Sequence, residues 1–560
     1  MAQETEKEKE IILDRSKDRI IRLQHECGLD VKPLYGPQDL KDFDYQRDLN
    51  DPGHYPFTRG MYEGMYRNML WLGQQALQRE TIEKSREQLM PIWMGGSPVV
   101  YWASGDVGRT GLDPDHPLAK HDISYGNENY SMGRIERLVA GISLDSAIFE
   151  FHGASSHQDD VLCIAQLAAV AEKRGVDKAK IRGSVINDPV ENEVTNFSVE
   201  WPFDIAMRLH TDLAEFIVEE MPKFTPFTPI AYDLYEAGCN SVQQMGIILS
   251  SVKMYVEAAL ERGVAFEQLG KRIAISMASC MDFFETICKI RATRRMWARI
   301  AKEHFGVKDP DLCRLRIAVR TPGLSLTRQQ PLNNVARIAL QAVAAVIGGA
   351  NAVDYARHDE ARCIPSDESL LVTLAMNHII AQETGVALTA DPLGGSYYVE
   401  SFTNKMEEEA NKLMQEIDDM GGMRAAIKSG WLRQLVTNAR DQRLAEIDEG
   451  KLIRVGENLA RIPEEQEPEV TEYVFEDMAK VQANLLAEVK HFKETRDIQK
   501  TRKTLLSLRE KARTKENLMN TIIEAFKADA TRAEILGMIR EAYGYAYDTV
   551  GMIERPSFLN

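Results

Sequence analysis

The sequence has few of the features that would direct a protein to a membrane, a secretory route or nucleic acid. It holds no uninterrupted apolar run of the ~18 residues that a membrane-spanning helix needs. Its first residues, MAQETEKEKE, are too charged for a secretory signal. A net charge of -17 argues against the concentrated basic surface that binds phosphate backbones. We therefore expect a cytoplasmic protein that binds neither membranes nor nucleic acid.

Cysteine is also sparse and scattered. The seven cysteines run from Cys27 to Cys363 without a CxxC pair. This odd, dispersed set predicts reduced thiols, most of them in the core, and neither a disulfide framework nor a zinc site. The 560 residues are 44% hydrophobic and 27% charged, which is ordinary for a globular protein with a large core.

What the sequence does contain is an alternation of strand-like and helix-like segments between residues 95 and 400. Helix-like stretches at 160–174, 240–262, 281–304, 332–348 and 366–384 separate most of eight short apolar runs, which are 99–104, 146–151, 182–187, 228–233, 272–278, 314–320, 351–356 and 385–391. Eight alternations favour a parallel (β/α)8 TIM barrel, although the spacing alone also permits a doubly wound sheet. Several runs are rich in Ser and Ala, which would leave room along a barrel axis.

Three regions are expected. Residues 1–50 form a charged N-terminal arm, in which the apolar residues of 6–24 have helical spacing. Residues 51–400 form the barrel. Residues 401–560 form a helical C-terminal extension that is highly charged between 470 and 545, for packing or for subunit contact.

Six segments carry a family resemblance and occur in family order: YPFTRGMYEGMY (55–66), IRGSVIND (181–188), YDLYEAGCNSVQQ (232–244), RTPGLSLTRQQPLNN (320–334), AAVIGGAN (344–351) and DPLGGSYYVE (391–400). Over roughly residues 50–455 the chain resembles the methylmalonyl-CoA mutase family of adenosylcobalamin-dependent acyl-CoA mutases. The resemblance implies an isomerase that catalyses a radical 1,2-shift. It also implies an α/β barrel whose axis is threaded by the pantetheine arm of coenzyme A.

The family's cobalamin domains carry a DxHxxG motif whose histidine ligates cobalt, and this chain has none. Neither DPDHP (113–117) nor EFHGAS (150–155) fits it. The resemblance therefore implies a large, substrate-binding subunit, with adenosylcobalamin bound mainly by a separate small subunit that carries DxHxxG. A hetero-oligomer of two large and two small chains is expected.

Two positions bear on the substrate. Arg208 falls where the family's dicarboxylate mutases place an arginine, and its planar guanidinium suits a carboxylate, although it could equally be a structural arginine on a helix. Ala76 stands where methylmalonyl-CoA mutase carries a tyrosine beside the migrating group. The resemblance therefore implies a larger acyl pocket than in that enzyme, unless another side chain fills the gap. Together they predict a bulky dicarboxylic acyl-CoA, an aryl- or alkyl-malonyl-CoA isomerised to the succinyl-CoA type, such as (2-aminobenzyl)malonyl-CoA.

The resemblance also implies which other residues contact the substrate and the cofactor. Asp233 replaces a histidine that donates to the thioester carbonyl; an ionised carboxylate only accepts, so Asp233 is either protonated or accepts from a substrate amine or hydroxyl. His152 is a candidate donor in its place, or a core histidine. Further substrate contacts are expected from Tyr62, Met65, Ser184 and the apolar Ile186. Cofactor contacts are expected from Glu236, Gln329, Glu360 and Ala356, unless these are ordinary loop residues.

Two alternatives remain open from the sequence. One is a methylmalonyl- or ethylmalonyl-CoA mutase with a rearranged pocket. The other is a non-catalytic barrel that binds an acyl-CoA or a cobalamin protein. The second is favoured by Gln74, Leu72 and Met69, which stand where the family has two arginines and a threonine that hold coenzyme A.

Overall fold

The structure is a computed structural model that describes residues 24–77, 79–103, 110–121, 129–152, 157–195, 201–475 and 477–560. The predicted helical spacing of 6–24 therefore lies almost wholly outside the described residues. The strands, all parallel to their neighbours, are β1 (Leu72–Gln74), β2 (Ala76–Leu77), β3 (Val99–Ala103), β4 (Ile148–His152), β5 (Arg182–Ile186), β6 (Ala274–Ala278), β7 (Arg316–Arg320) and β8 (Ala352–Asp354).

The strands form two four-stranded sheets that meet at both edges. Their orders are β1-β8-β7-β6 and β2-β3-β4-β5. At one seam, β1 and β2 follow each other along the same stretch of chain, separated only by Gln75. At the other seam, Phe224 bridges Gly183 of β5 and Ile230 bridges Ser276 of β6. Eight extended segments thus succeed one another around a ring, and the predicted α/β fold of the TIM-barrel type is confirmed.

The helices lie between and after the strands, and all five predicted helical stretches are confirmed. They are α1 (Ile82–Glu87), α2 (Leu89–Met94), α3 (Met132–Leu138), α4 (His157–Arg174), α5 (Pro189–Thr195), α6 (Phe203–Glu220), α7 (Tyr232–Glu236), α8 (Ser241–Glu261), α9 (Phe266–Leu269), α10 (Phe283–Glu303), α11 (Asn333–Ile347), α12 (Asp367–Gln382), α13 (Tyr397–Asp419), α14 (Met423–Lys428), α15 (Trp431–Asp448), α16 (Met478–Thr495), α17 (Ile498–Ala512), α18 (Met519–Lys527) and α19 (Arg532–Ala542). None of the described helices combines the length and apolar composition of a membrane span.

Two of the predicted strands need correction. Residues 385–391 form turns, so the strand predicted there is wrong. The stretch that completes the ring is instead 72–77, which the apolar pattern missed because LGQQAL has only two large apolar residues. The predicted run 228–233 contributes only the bridge at Ile230 before α7 begins at Tyr232.

The charged C-terminal extension is packed onto the barrel through an apolar face. Leu505, Leu508, Met519 and Phe526 are buried in the same core as Phe149 of β4. A buried arginine reinforces the contact, because Arg532 forms an ion pair with Asp159 of α4 and also hydrogen-bonds to Asn129. The high charge of α16–α19 belongs to their outer faces, while their inner faces cover one side of the barrel.

Candidate active site inside the barrel

The inward-facing residues of the barrel keep a small exposure that the outward-facing residues lack. Side chains alternate between the two faces of a strand, and those facing the helices are sealed: Ile275, Ile317 and Val353 are 0% exposed. Their neighbours along the same strands face inward and keep some exposure, such as Ser276 at 8% and Asp354 at 7%. These residual exposures indicate a central space, which we call the lumen.

Small side chains line much of the lumen. In-register positions on β6, β7 and β8 are Ser276, Ala318 and Ala352, and Ala278 follows one layer higher. Ser184 contributes from β5. TIM barrels usually fill this space with layers of branched residues. Here the small residues leave room for a slender chain along the axis, as the Ser- and Ala-rich runs predicted.

The rest of the lumen wall is polar and ionisable. We call Tyr101, Glu150, Arg320 and Asp354 the polar wall. Tyr101 and Glu150 are in register on β3 and β4, and the Ser184 hydroxyl donates to the Glu150 carboxyl. Arg320 Nε lies 3.3 Å from Asp354 Oδ2. Sequence reasoning missed this group, although a charged residue inside a short apolar strand is the signal that could have found it.

Burial changes the protonation of the polar wall. It raises the pKa of Glu150 to about 7; the nearby Asp354 charge adds to the rise, while hydrogen bonds from Ser184 and Gln74 oppose it. Burial also raises the pKa of Asp354, against the opposing charge of Arg320. Because of these shifts, the carboxyl of Glu150 can both donate and accept a hydrogen bond near neutral pH.

The segment 55–66 lies at the lower end of the lumen, where the strands begin. The Tyr66 phenol donates to the carbonyl oxygens of Val346 and Ala350, just before β8. The Tyr62 ring lies 5.7 Å from the guanidinium of Arg314, just before β7. Met65 is buried, and a Cβ added at Gly349 would touch it. The predicted contacts Tyr62 and Met65 are thus placed at one mouth of the barrel.

Three predicted residues belong to the wall itself. Ser184 and Ile186 face inward from β5, and Ile186 packs with Tyr232. Ala76 is in register with Tyr101, so that ring lies beside the space expected at Ala76. His152 ends β4 opposite Ile186, but its side chain lies outside the described part of the structure.

The other predicted residues gather at the upper end, where the strands finish. Glu236 accepts a hydrogen bond from the Leu324 amide at 2.9 Å, and Glu360 Oε1 lies 3.6 Å from Arg320 Nη2. Asp233 lies in the first turn of α7. Burial is the main cause of the raised pKa of Tyr101, and the charge of Asp233 adds a small part to that rise.

Two further predicted cofactor residues lie in loops that follow strands. Ala356 is buried just after β8, and its amide donates to the Thr321 hydroxyl at 2.8 Å. Gln329 is partly exposed in the loop before α11, and its carbonyl accepts from the Thr327 hydroxyl. Both loops begin at the upper ends of β7 and β8.

Arg208 has a different setting. It lies on α6, where its Nε donates to Asp212 at 2.8 Å. Its other nitrogens donate to the carbonyl oxygens of Thr514 and Glu516, between α17 and α18. The structure therefore ties this guanidinium to the C-terminal extension and does not bring it together with the polar wall. These contacts favour the structural alternative, while the role of carboxylate anchor stays an untested prediction.

Comparisons with known proteins agree with this geometry. The family described as "Methylmalonyl-CoA mutase" matches residues 24–545, so the family likeness continues past residue 455, where the sequence pattern fades, and includes α16–α19. The chain is 33% identical to a probable mitochondrial methylmalonyl-CoA mutase of Caenorhabditis elegans, over 92% of this chain and 68% of that protein.

Two bacterial relatives complete the comparison. The chain is 33% identical to a methylmalonyl-CoA mutase of Rhizobium meliloti, over 92% of this chain and 72% of the relative. It is 29% identical to the 2-hydroxyisobutanoyl-CoA mutase large subunit of Aquincola tertiaricarbonis, over 93% of this chain and 92% of that subunit. With a barrel lined by small residues, the family's segments in order and a match over most of its length, the chain belongs to the methylmalonyl-CoA mutase family of isomerases.

Proposed function

We propose that this chain is the large, substrate-binding subunit of an adenosylcobalamin-dependent acyl-CoA mutase. The observation that carries the proposal is the lumen wall, in which the small residues Ser276, Ala318 and Ala352 face inward at one level. A relative named as a large subunit is matched over 92% of its length, which supports a separate small subunit that carries the cobalamin. An assembly of two large and two small chains remains part of the proposal.

The upper end of the lumen suits the adenosyl part of the cofactor. A ribose presents hydroxyl donors, and carboxylates are the strongest acceptors that a protein offers. Glu236 and Glu360 supply two such groups on either side of Arg320, and burial raises the pKa of Glu236. When bound, adenosylcobalamin supplies an organic radical that removes a hydrogen atom from the substrate.

The chain's own residues bind and orient the substrate. The small lining accepts the pantetheine arm, so the acyl group would lie near the polar wall, shielded from bulk water. Asp233 and Glu150 are placed to take hydrogen bonds there, and Ile186 supplies an apolar contact. An enlarged acyl group remains a prediction from Ala76, although the neighbouring Tyr101 ring reduces the space that the alanine leaves.

The experiment combines the chain with a cobalamin-binding small subunit and adenosylcobalamin, and offers methylmalonyl-, ethylmalonyl-, benzylmalonyl- and 2-hydroxyisobutanoyl-CoA. Products are separated by chromatography and identified by mass. Ala318→Leu places a branched side chain in the lumen, so we expect it to weaken acyl-CoA binding by about tenfold or more. Ala336→Leu, at an exposed position of α11, is the matched control. Isomerisation that is unaffected by Ala318→Leu would contradict binding through the lumen.

A further inference from the structure

The polar wall carries more negative than positive groups. Glu150 and Asp354 face the lumen on β4 and β8, and the Asp233 carboxylate is close enough to affect the pKa of the Tyr101 phenol between them. Arg320 is the one cation among the four residues of this wall. Arg357, just after β8, also acts on Asp354, but it donates to the Gln75 side chain and the Ala76 carbonyl oxygen. The acyl group of a bound substrate would therefore meet several hydrogen-bond acceptors and a single cationic donor in this wall.

That cation already has two carboxylate neighbours. Arg320 lies 3.3 Å from Asp354 and 3.6 Å from Glu360, and its guanidinium stacks 4.6 Å from the centre of the Tyr232 ring. A guanidinium held between two carboxylates has little remaining attraction for a third. Arg208, the other candidate anchor, is hydrogen-bonded to Asp212 and to the chain beyond α17. A second carboxylate on the substrate would thus enter a wall of like charge.

Glu150 is the group best placed to meet the acyl end. Its neighbours Phe149 and Phe151 are buried among the helices, so alternation turns Glu150 into the lumen. Its partners there, Ser184 and Gln74, are both neutral. The residue keeps 7% exposure, close to that of the other inward-facing residues Ser276 and Asp354.

We propose that Glu150 is a specificity-determining residue that takes a hydrogen bond from an O–H or N–H of the substrate's acyl group, so that the enzyme selects such acyl-CoAs over those with a second carboxylate. This inference rests on the proposed function and narrows its substrate class. It departs from the dicarboxylic acyl group that Arg208 suggested.

The test uses three esters that share one carbon skeleton and differ in one substituent: 2-hydroxyisobutanoyl-CoA (hydroxyl), pivaloyl-CoA (methyl) and dimethylmalonyl-CoA (carboxylate). Dissociation constants are measured by calorimetry at pH 8, where Glu150 with its pKa of about 7 is ionised, with the chain in complex with its small subunit. A hydrogen bond to a charged group corresponds to roughly 10- to 100-fold in affinity. We expect the hydroxy ester to bind about tenfold or more tightly than the methyl ester, and the carboxylate ester to bind most weakly.

Glu150→Gln keeps the size of the side chain but removes its charge. It should reduce the preference for the hydroxy ester and relieve the rejection of dimethylmalonyl-CoA, each by about tenfold. Glu383→Gln, an exposed carboxylate after α12, is the control and should leave both ratios unchanged. The wild-type ratios test the inference even if Glu150→Gln folds poorly. Equal binding of the hydroxy and carboxylate esters, or ratios that Glu150→Gln does not change, would overturn it.

The two proposals fail in different ways. Selective binding without isomerisation of any ester would keep the role of Glu150 and reject the mutase activity of this chain. Isomerisation without the expected selectivity would keep the mutase and reject the role of Glu150. If none of the three esters bound, the role of Glu150 would be rejected, and the mutase would be judged by the isomerisation assay with methylmalonyl-, ethylmalonyl- and benzylmalonyl-CoA.

Discussion

The buried carboxyl of Glu150 should make the stability of the fold depend on pH in a defined direction. Burial raises its pKa from 4.5 to about 7, with Asp354 adding to the effect and Ser184 and Gln74 opposing it. The native chain therefore keeps a proton that the unfolded chain loses, and the free energy of unfolding falls as the pH rises from 4.5 to 7. At about 1.4 kcal/mol per pKa unit, the penalty above pH 7 is about 3 kcal/mol.

Glu150→Gln has no proton to lose and still offers an acceptor to the Ser184 hydroxyl. Its stability relative to the wild type should therefore increase by about 2 to 3 kcal/mol between pH 5 and pH 8. Urea unfolding at the two pH values measures this difference, with Glu383→Gln as the exposed control. The reasoning is refuted if the difference between Glu150→Gln and the wild type is the same at both pH values.

Two further substitutions test the contacts outside the lumen. Arg208→Ala removes the bonds to Asp212 and to the Thr514 carbonyl, so we expect a loss of about 1 to 3 kcal/mol in thermal unfolding with the KM of every CoA ester unchanged; a KM increase confined to dicarboxylic esters would restore Arg208 as a carboxylate anchor. Arg532→Ala removes the ion pair with the buried Asp159 carboxylate, so we expect a loss of about 3 to 5 kcal/mol and faster hydrogen exchange in α19; unchanged exchange there would contradict the role of this arginine in holding the extension.

The fold was predictable where the spacing of apolar residues distinguishes a helix from a strand. Long amphipathic stretches such as 283–303 gave helices whose ends differ from the prediction by three residues or fewer. Apolar runs such as 316–320 gave strands. The stretch 72–77 escaped because only Leu72 and Leu77 in it are large and apolar. The stretch 385–391 was mistaken for a strand because its short apolar run resembles one, although it forms turns. In both cases tertiary packing, and not local pattern, decides the structure.

The site was predictable only where local sequence motifs define it. The family segments place Ser184, Ile186 and Ala76 in the lumen wall, where the structure also has them. The contacts of Arg208 depend on the loop between α17 and α18, some 300 residues later in the chain, which no local motif reveals. Glu150 is a single charge inside an apolar strand, and only its register with Tyr101 shows that it faces the lumen.

The lumen wall has a part lined by small residues and a polar part, and this difference indicates which residues choose the substrate. Every acyl-CoA shares the same pantetheine arm, so the part lined by Ser276, Ala318 and Ala352 can bind that arm but cannot distinguish one acyl group from another. Discrimination requires groups whose pairing differs between substrates, because a buried acceptor left without a donor costs more than a lost apolar contact. In the described part of the barrel those groups are the residues of the polar wall, together with Asp233. The loops above the strands hold the residues proposed to contact the cofactor, so substitutions there should alter turnover before they alter the choice of substrate.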